Sequence, residues 1–302
     1  MSRAFCTITT RSHLFKVYAL NHSLRAFTDI PLHVLVIDAN QTNQFEKHSG
    51  IIYHTLDELD GAFVNAILRK YSRTDHIRWC SKPVLLLHLL ENTGRVIYLD
   101  NDLFFYHSGE FLFDYLIENN ILLSPHWRIA DPEWEQIWMI TNFREGIYNA
   151  GFIGVNQKAG KTVEWWAKAC LYRCERNFYY ALFDDQKYLD IFPVLEPKTH
   201  VLAHKGCNVA GWNIKNCTRT LTNGEVMVNG IYPIVFIHYA NDTFYRFKRG
   251  EDNLLWGNFE KYVNTLKRYK PDYDWLAEAK PPGWLAWFRY FRWRFRELFN
   301  KK

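Results

Sequence analysis

The sequence predicts an α/β protein built on a mixed, mainly parallel sheet flanked by helices. Two observations predict it. Short apolar runs alternate with helical stretches along the first half of the chain, and such alternation implies βαβ units. One of these runs, Val96-Ile-Tyr-Leu-Asp-Asn-Asp-Leu-Phe-Phe105, ends in two carboxylates. Open α/β sheets gather their ligands at the carboxyl ends of the strands. With 302 residues, 48% of them hydrophobic and 17% aromatic, the chain can bury a large core and is not globally disordered.

Each element follows from local pattern. A first strand is expected over Ala4 to Thr10. A helix is expected over Leu14 to Phe27, with Ser12 as its N-cap. His33 to Ile37 reads as a short strand ending at Asp38. Asp57 to Tyr71 is helical in character, and Lys82 to Glu91 is a helix leading into the strand Arg95 to Leu99. A helix near Glu110 to Asn119 precedes a strand at Ile121 to Ser124. The aromatic, acidic stretch His126 to Asn142 reads as a loop or short helices. Tyr148 to Asn156 is a strand, Gly160 to Glu175 a helix, and Asp184 to Phe192 a helical turn region. Ile231 to Tyr239 is a strand, Asn253 to Tyr269 a helix, and Pro271 to Pro282 a linker. The expected organisation is a catalytic domain over 1–245, a helical extension and linker over 246–280, and a terminal amphipathic helix over 281–302.

The net charge of +5 is concentrated at one end. Arg289, Arg292, Arg294, Arg296, Lys301 and Lys302 outweigh the single acid Glu297, and the rest of the chain balances to zero. A nucleic-acid partner is therefore not expected, since such proteins carry basic surface on the folded body. On a helical wheel of ~100° per residue, Trp284, Trp287, Phe288, Phe291, Phe295, Leu298 and Phe299 share one arc of about 120°. Arginines flank it, the pattern of a helix lying on an anionic membrane surface. Packing on the protein's own core is the alternative. No uncharged run approaches the ~20 residues needed to span a bilayer. Met1 leads directly into a strand, and the six cysteines are scattered. The expectation is a cytoplasmic protein with reduced thiols, peripheral at the inner face of the membrane. Cys170 and Cys174 read as a core face rather than a zinc site.

Candidate chemistry starts at Asp100 and Asp102. Residues i and i+2 of a strand share a side, so both carboxylates can converge on one Mg²⁺ or Mn²⁺ ion. A solvated turn is the ordinary alternative. Tyr148-Asn-Ala-Gly151 sets small residues beside a strand, where a ligand can approach backbone. Asp184-Asp-Gln186 lies at a helix start, where capping alone also explains acids. His204-Lys-Gly-Cys-Asn208 is a polar loop in which Lys205 and Gly206 could cradle phosphates. Ile237-His-Tyr239 ends a strand with His238, an imidazole that suits Mn²⁺ or a satisfied core.

The order of these segments resembles the nucleotide-sugar glycosyltransferases of the GT-A fold, and most of all family 8, which includes bacterial lipooligosaccharide galactosyltransferases and glycogenin. In that family a strand ending Tyr-Leu-Asp-x-Asp supplies two metal ligands. A Phe-Asn-x-Gly segment, an Asp-Gln pair and an Ile-His-Tyr strand end follow. The corresponding residues are Tyr98 to Asp102, Tyr148 to Gly151, Asp185 with Gln186, and Ile237 to Tyr239. The resemblance covers about Ala4 to Ala240. It implies that Asp100, Asp102 and His238 bind Mn²⁺ or Mg²⁺, and through it the diphosphate of the donor. Asn149 and Asp185 would hold donor hydroxyls, with Asp185 and Gln186 at the reacting face. The donor-contacting set also includes Thr7, Thr9, Arg11, Lys82, Asn101, Gly151, Lys205 and Gly206. Two departures stand out. Thr7-Ile-Thr-Thr-Arg-Ser12 replaces the acid-rich segment that often contacts the base. The arginine expected in the helix before the Asp-x-Asp strand is missing, with Lys82 in its position; a solvated surface lysine is the alternative.

The implied reaction is metal-dependent transfer of a sugar, with a UDP-sugar favoured and retention favoured. The acceptor is a hydroxyl of a glycan, plausibly lipid-carried as in lipopolysaccharide or capsule. Inversion would need a carboxylate base, for which Asp131, Glu133, Glu135 and Asp184 all qualify. Two other classes fit less well. A non-catalytic sugar- or nucleotide-binding protein would be expected to have lost one of the site residues. A metal-dependent phosphohydrolase leaves Asn149 to Gly151 and the terminal helix without a role.

Overall fold

The computed structural model describes residues 2–128, 131–133 and 136–279. The expected helix over 281–302 and the candidate base Glu135 lie outside the described residues. In chain order the elements begin with β1 (Arg3–Thr9), α1 (Leu14–Arg25), β2 (Leu32–Val36), β3 (Ile51–His54), α2 (Gly61–Lys70) and α3 (Thr74–Leu90). Next come β4 (Arg95–Leu99), β5 (Leu103–Phe105), α4 (Leu112–Glu118), β6 (Ile121–Pro125), α5 (Gln136–Glu145), β7 (Tyr148–Asn156) and α6 (Gly160–Tyr172). The short β8 (Arg176–Asn177) and β9 (Leu182–Phe183) precede α7 (Phe192–Leu195) and β10 (Thr199–Val201). The remainder holds β11 (Arg219–Thr222), β12 (Glu225–Val228), β13 (Tyr232–Pro233), β14 (Phe236–His238), α8 (Asn241–Lys248) and α9 (Trp256–Tyr269).

The central sheet runs in the order β10-β6-β7-β4-β1-β2-β3. Its pairings are parallel except those of β7, which is antiparallel to both β4 and β6. The sheet is therefore mixed and mainly parallel, as the sequence predicts. Strand alternation sends Cys6, Ile8, Val96 and Tyr98 into a core with Val84, Leu85 and Trp166 from α3 and α6. Phe5, Ile97 and Leu99 face the other way, into a core with Val17 and Leu20 of α1 and Phe113 of α4. A third cluster joins Phe104, Ile237 and Tyr239 to Phe244, Phe259 and Tyr262 of α8 and α9. The Tyr239 and Tyr262 rings stack at 4.0 Å.

Several local expectations need correction. Helix α3 begins at Thr74, well before Lys82, and carries Pro83 inside it. Proline is favoured in the first turn of a helix, which makes Lys82-Pro83 look like a start. Ser12 caps nothing; it lies in a 3₁₀ turn over Arg11–His13. The expected strand over 231–239 is split at Ile234 and Val235 into β13 and β14, just after Pro233, which cannot donate to a ladder. Helix α5 begins inside the 126–142 stretch and runs on to Glu145. The boundary expected at 245/246 falls inside α8, and the 246–279 segment packs on the sheet body through Tyr262 and Phe259. Among the described residues, no helix is long and apolar enough to cross a membrane.

Candidate active site

Two pairings assemble the site. The antiparallel β7 brings its beginning to the carboxyl end of β4, with Leu99 opposite Phe152. The Asp100 N–H then donates to the Gly151 carbonyl at 2.8 Å. The β5–β14 pair sets His238 opposite Leu103, and the Tyr239 N–H donates to the Asp102 carbonyl at 2.9 Å. Side-chain ligand atoms of Asp100, Asp102 and His238 consequently lie within 4.8 Å of one another. His238 Nε2 is 3.1 Å from Asp102 Oδ1.

The donor set suits a hard divalent cation: two carboxylates and one imidazole. Its floor is glycine for a steric reason. A Cβ at Gly151 would sit 2.6 Å from His238 Cε1 and 2.8 Å from Asp100 Oδ2. Asn208, in the left-handed region at φ 62°, sets its Oδ1 3.2 Å from His238 Nδ1. A proton on Nδ1, donated to this oxygen, leaves the Nε2 lone pair for a metal. Trp212 packs edge-on against His238, with ring centres 5.1 Å apart. Burial opposes the charge of Asp102, but His238 beside it holds the carboxyl well below the usual carboxylate range. Burial likewise disfavours the imidazolium, yet Asp102 and then Asp100 raise His238 above its ordinary value.

Lys82 is buried, not a solvated surface lysine. Its ammonium lies 3.4 Å from Asp100 Oδ1 and 3.2 Å from Asp185 Oδ2, and donates to the Ala150 carbonyl at 3.1 Å. Burial works against that charge, while Asp100 and Asp185 hold it on the nitrogen. One lysine thus serves two carboxylates. Burial, only partly offset by Lys82, pushes Asp185 up to about 7. The buried Trp166 indole fixes this segment by donating to the Asp185 carbonyl at 2.9 Å.

Arg78 is the residue that sequence reasoning missed. It lies on α3 one turn before Lys82, and burial disfavours its charge while Asp100 and, more weakly, Asp102 raise it. The early start of α3 supplies an arginine on the helix before the Asp-x-Asp strand, the feature that looked absent. Tyr98 was also missed, although its spacing from Asp100 carries the signal. Its hydroxyl donates to Asp100 Oδ1 at 2.8 Å.

The remaining candidates divide. Asn149 is buried beside Gly151, and its Oδ1 accepts the Gly151 N–H at 2.6 Å. Gln186 Oε1 accepts the Ala150 N–H at 3.3 Å and its Nε2 donates to the Glu145 carbonyl at 2.8 Å, so the amide is held at both ends. Asn101 donates to Thr9 Oγ1 at 3.2 Å and to the Ile8 carbonyl at 3.3 Å. Thr7 and Thr9 are fully buried. Arg11 is exposed and donates to Gln44 Oε1 at 2.6 Å. It lies over the ring of Phe45, which with Lys47, His48 and Tyr53 lines a cleft of about 470 Å³ that shares no residue with the cation site. Lys205 donates to Asn216 Oδ1 at 3.1 Å and sits over Trp127. Gly206 is required by packing: a Cβ there would meet the Pro233 carbonyl oxygen at 1.9 Å. Asp184 is buried, at φ 53°, and paired with Arg176 at 2.8 Å. Asp131 and Glu133 are exposed.

No family model matches the chain. It is 29% identical over 255 residues to the uncharacterized protein YfnF of Bacillus subtilis strain 168, covering 80% of this chain and 82% of that protein. To YfnD of the same strain, also uncharacterized, it is 28% identical over 263 residues, covering 83% and 81%. Among solved structures it is similar to the galactosyltransferase LgtC in complex with donor and acceptor sugar analogs. The TM-score is 0.55 at 15% identity, over 88% of this chain and 95% of that one. The glycosyltransferase GlyE of Streptococcus pneumoniae TIGR4 is similar with a TM-score of 0.50 at 14% identity, over 92% of this chain and 63% of that one. The chain has the fold of these glycosyltransferases, the GT-A arrangement that the order of its motifs resembles.

Proposed function

We propose that this protein transfers a sugar from a nucleoside diphosphate sugar, with UDP as the favoured nucleotide, to a hydroxyl of a glycan acceptor. The observation that carries the reading is the convergence of Asp100, Asp102 and His238 over Gly151, next to the Lys82–Asp185 pair. Asp100, Asp102 and His238 would hold Mn²⁺ or Mg²⁺. When bound, such a cation neutralises charge that develops on a leaving diphosphate. Lys82 and Arg78 add fixed positive charge on the same side, and fixed charges aimed at developing charge lower a barrier without reorganising. Asn149 and Asp185 hold donor hydroxyls, and Gln186, its amide fixed at both ends, flanks the reacting carbon. Retention of configuration is the favoured outcome, as the resemblance implies; Asp131 and Glu133 are exposed and Asp184 is tied to Arg176. A hexosyl donor and a lipid-carried acceptor, of the lipopolysaccharide or capsule kind, complete the proposal. The basic aromatic sequence at 281–302 supports such an acceptor.

A thermal-shift screen of nucleoside diphosphate sugars with Mn²⁺ tests it. A ligand at about 100 times its Kd adds about 2.7 kcal/mol of apparent stability, so a UDP-sugar is expected to raise Tm by several degrees only when Mn²⁺ is present. Equal shifts with and without the metal would reject the cation-dependent donor site.

A further inference from the structure

Histidines gather at one edge of the central sheet. Strand β3 is the outermost strand and pairs in parallel with β2, with Leu35 opposite His54. His33 lies two residues before Leu35, so both imidazoles emerge on the same face. His33 Nδ1 is 2.8 Å from His54 Nε2, and the two rings stack with centres 5.1 Å apart. His54 Nδ1 is 2.9 Å from Glu58 Oε2, in the 3₁₀ turn Leu56–Glu58 that follows β3. A third imidazole, His88 in the last turn of α3, meets His54 edge-on at 5.6 Å. His54 is buried, and His33 and His88 are half-buried. The cluster thus joins β2, β3 and α3. On β1, Cys6 is the ladder partner of His33; it is fully buried, and burial raises its thiol and keeps it neutral.

This chain of hydrogen bonds is complete with neutral rings. An Nδ1–H on His54 donates to the Glu58 carboxylate, which leaves Nε2 to accept an Nδ1–H from His33. One added proton can be held on His54 beside Glu58, with His33 becoming the acceptor at its Nδ1. A second proton on this pair leaves N–H facing N–H at 2.8 Å and puts like charges on stacked rings. The one carboxylate in the chain, Glu58, is already engaged by His54. Burial, then His54, then His88 push His33 down to about 4. Burial also lowers His54; Glu58 opposes this and His88 adds to it.

We infer that His33, His54 and His88 form an acid-released latch: neutral, it fastens edge strand β3 to β2 and α3, and protonated, it lets the strand go. A histidine whose folded value lies below its unfolded value, near 6.5, contributes stability that is complete above 6.5 and lost as pH falls toward 4. The strand it holds has a neighbour on one side only, so its ladder resists opening least. The latch shares no residue with the Asp100, Asp102 and His238 site and goes beyond the transferase reading.

The test is hydrogen exchange of the full chain, followed by mass spectrometry at about pH 7.5 and about pH 5 and corrected for the intrinsic pH dependence of exchange. In the parent, the Ile51–His54 amides are expected to lose about tenfold in protection at the lower pH, within the roughly tenfold per pH unit that one linked proton allows. Protection of α6 should hold. His33→Asn offers a side-chain N–H in place of Nδ1–H but takes up no proton, and it should reduce the loss to about twofold. His88→Gln removes the third ring's charge without entering the hydrogen-bonded chain; it decides in the same way if His33→Asn does not fold. Equal protection of the parent at both pH values overturns the latch. An unreduced loss in the folded variant also overturns it. So does an equal loss across α6, which would mark general acid unfolding.

Discussion

Asp185 shares a single lysine with Asp100, and its burial raises it to about 7. A carboxyl shifted upward is protonated over a pH range where its neighbours are ionised, so a role that needs its carboxylate switches on as pH rises through about 7. Donor turnover should show an ascending limb with an apparent midpoint near there, and Asp185→Asn should lose both the limb and most of the turnover. A profile flat between pH 5 and 8 in the parent would argue against a working carboxylate at this position. The sign for stability is opposite. A group whose folded value is raised contributes stability that is full below its unfolded value, near 3.9, and is lost as pH rises toward 7. At this scale the sequence was legible in part: Asp100 and Asp102 do converge, but on the turn that joins β4 to β5 rather than by alternation along a strand. His238 was legible only as a strand end, because its partner Asp102 is set opposite by pairing between distant segments. Arg78 was not legible, because nothing local distinguished it from a surface arginine once the helix seemed to begin at Lys82. Thr7 and Gly206 were read as ligand contacts; Thr7 is fully buried and Gly206 sits against the Pro233 carbonyl.

Short polar elements were the least legible. Strands β1, β4 and β7 are apolar and lie within a residue or so of their expected bounds. The β11–β12 hairpin is polar, yet its Asn223-Gly224 turn, with φ 51° and 83°, is the strongest short-range hairpin signal a sequence offers. Strand β3 at the sheet edge, four residues long, is too short to announce itself. The hairpin matters because it is clamped to the segment between α8 and α9. Arg219 and Asp252 form a buried pair at 3.1 Å, and Arg219 also donates to the Ala210 carbonyl at 2.8 Å. Asp252→Ala strands that guanidinium, which typically costs about 3–5 kcal/mol. A chemical denaturation midpoint should fall accordingly, while Mn²⁺ affinity in the folded protein should hold. A loss below about 1 kcal/mol would show that the pair is dispensable to the hairpin's seating.

The whole molecule joins a two-faced sheet to a third aromatic cluster under α8 and α9. The sheet class was legible because strands and helices alternate strongly. The extension's seating was not, because Tyr239, Phe259 and Tyr262 reveal their stacking only once folded. The charge asymmetry of the chain belongs to this scale too, with the surplus gathered at 281–302. The full chain is expected to bind phosphatidylglycerol vesicles, less so as salt screens the arginines. Removal of 281–302 should abolish that binding, and co-sedimentation unchanged by the truncation would contradict a membrane role for the segment.

The central claim is a cation-dependent glycosyl transfer built on Asp100, Asp102 and His238. Turnover of a UDP-sugar, measured after chelation and then with Mn²⁺ restored, tests it on the parent and on Asp102→Ala. The account predicts activity in the parent that disappears with chelator and returns with Mn²⁺. It predicts a folded Asp102→Ala protein with turnover lower by about 100-fold or more. Full activity of Asp102→Ala under the same defined metal, or parent activity indifferent to chelation, would contradict it.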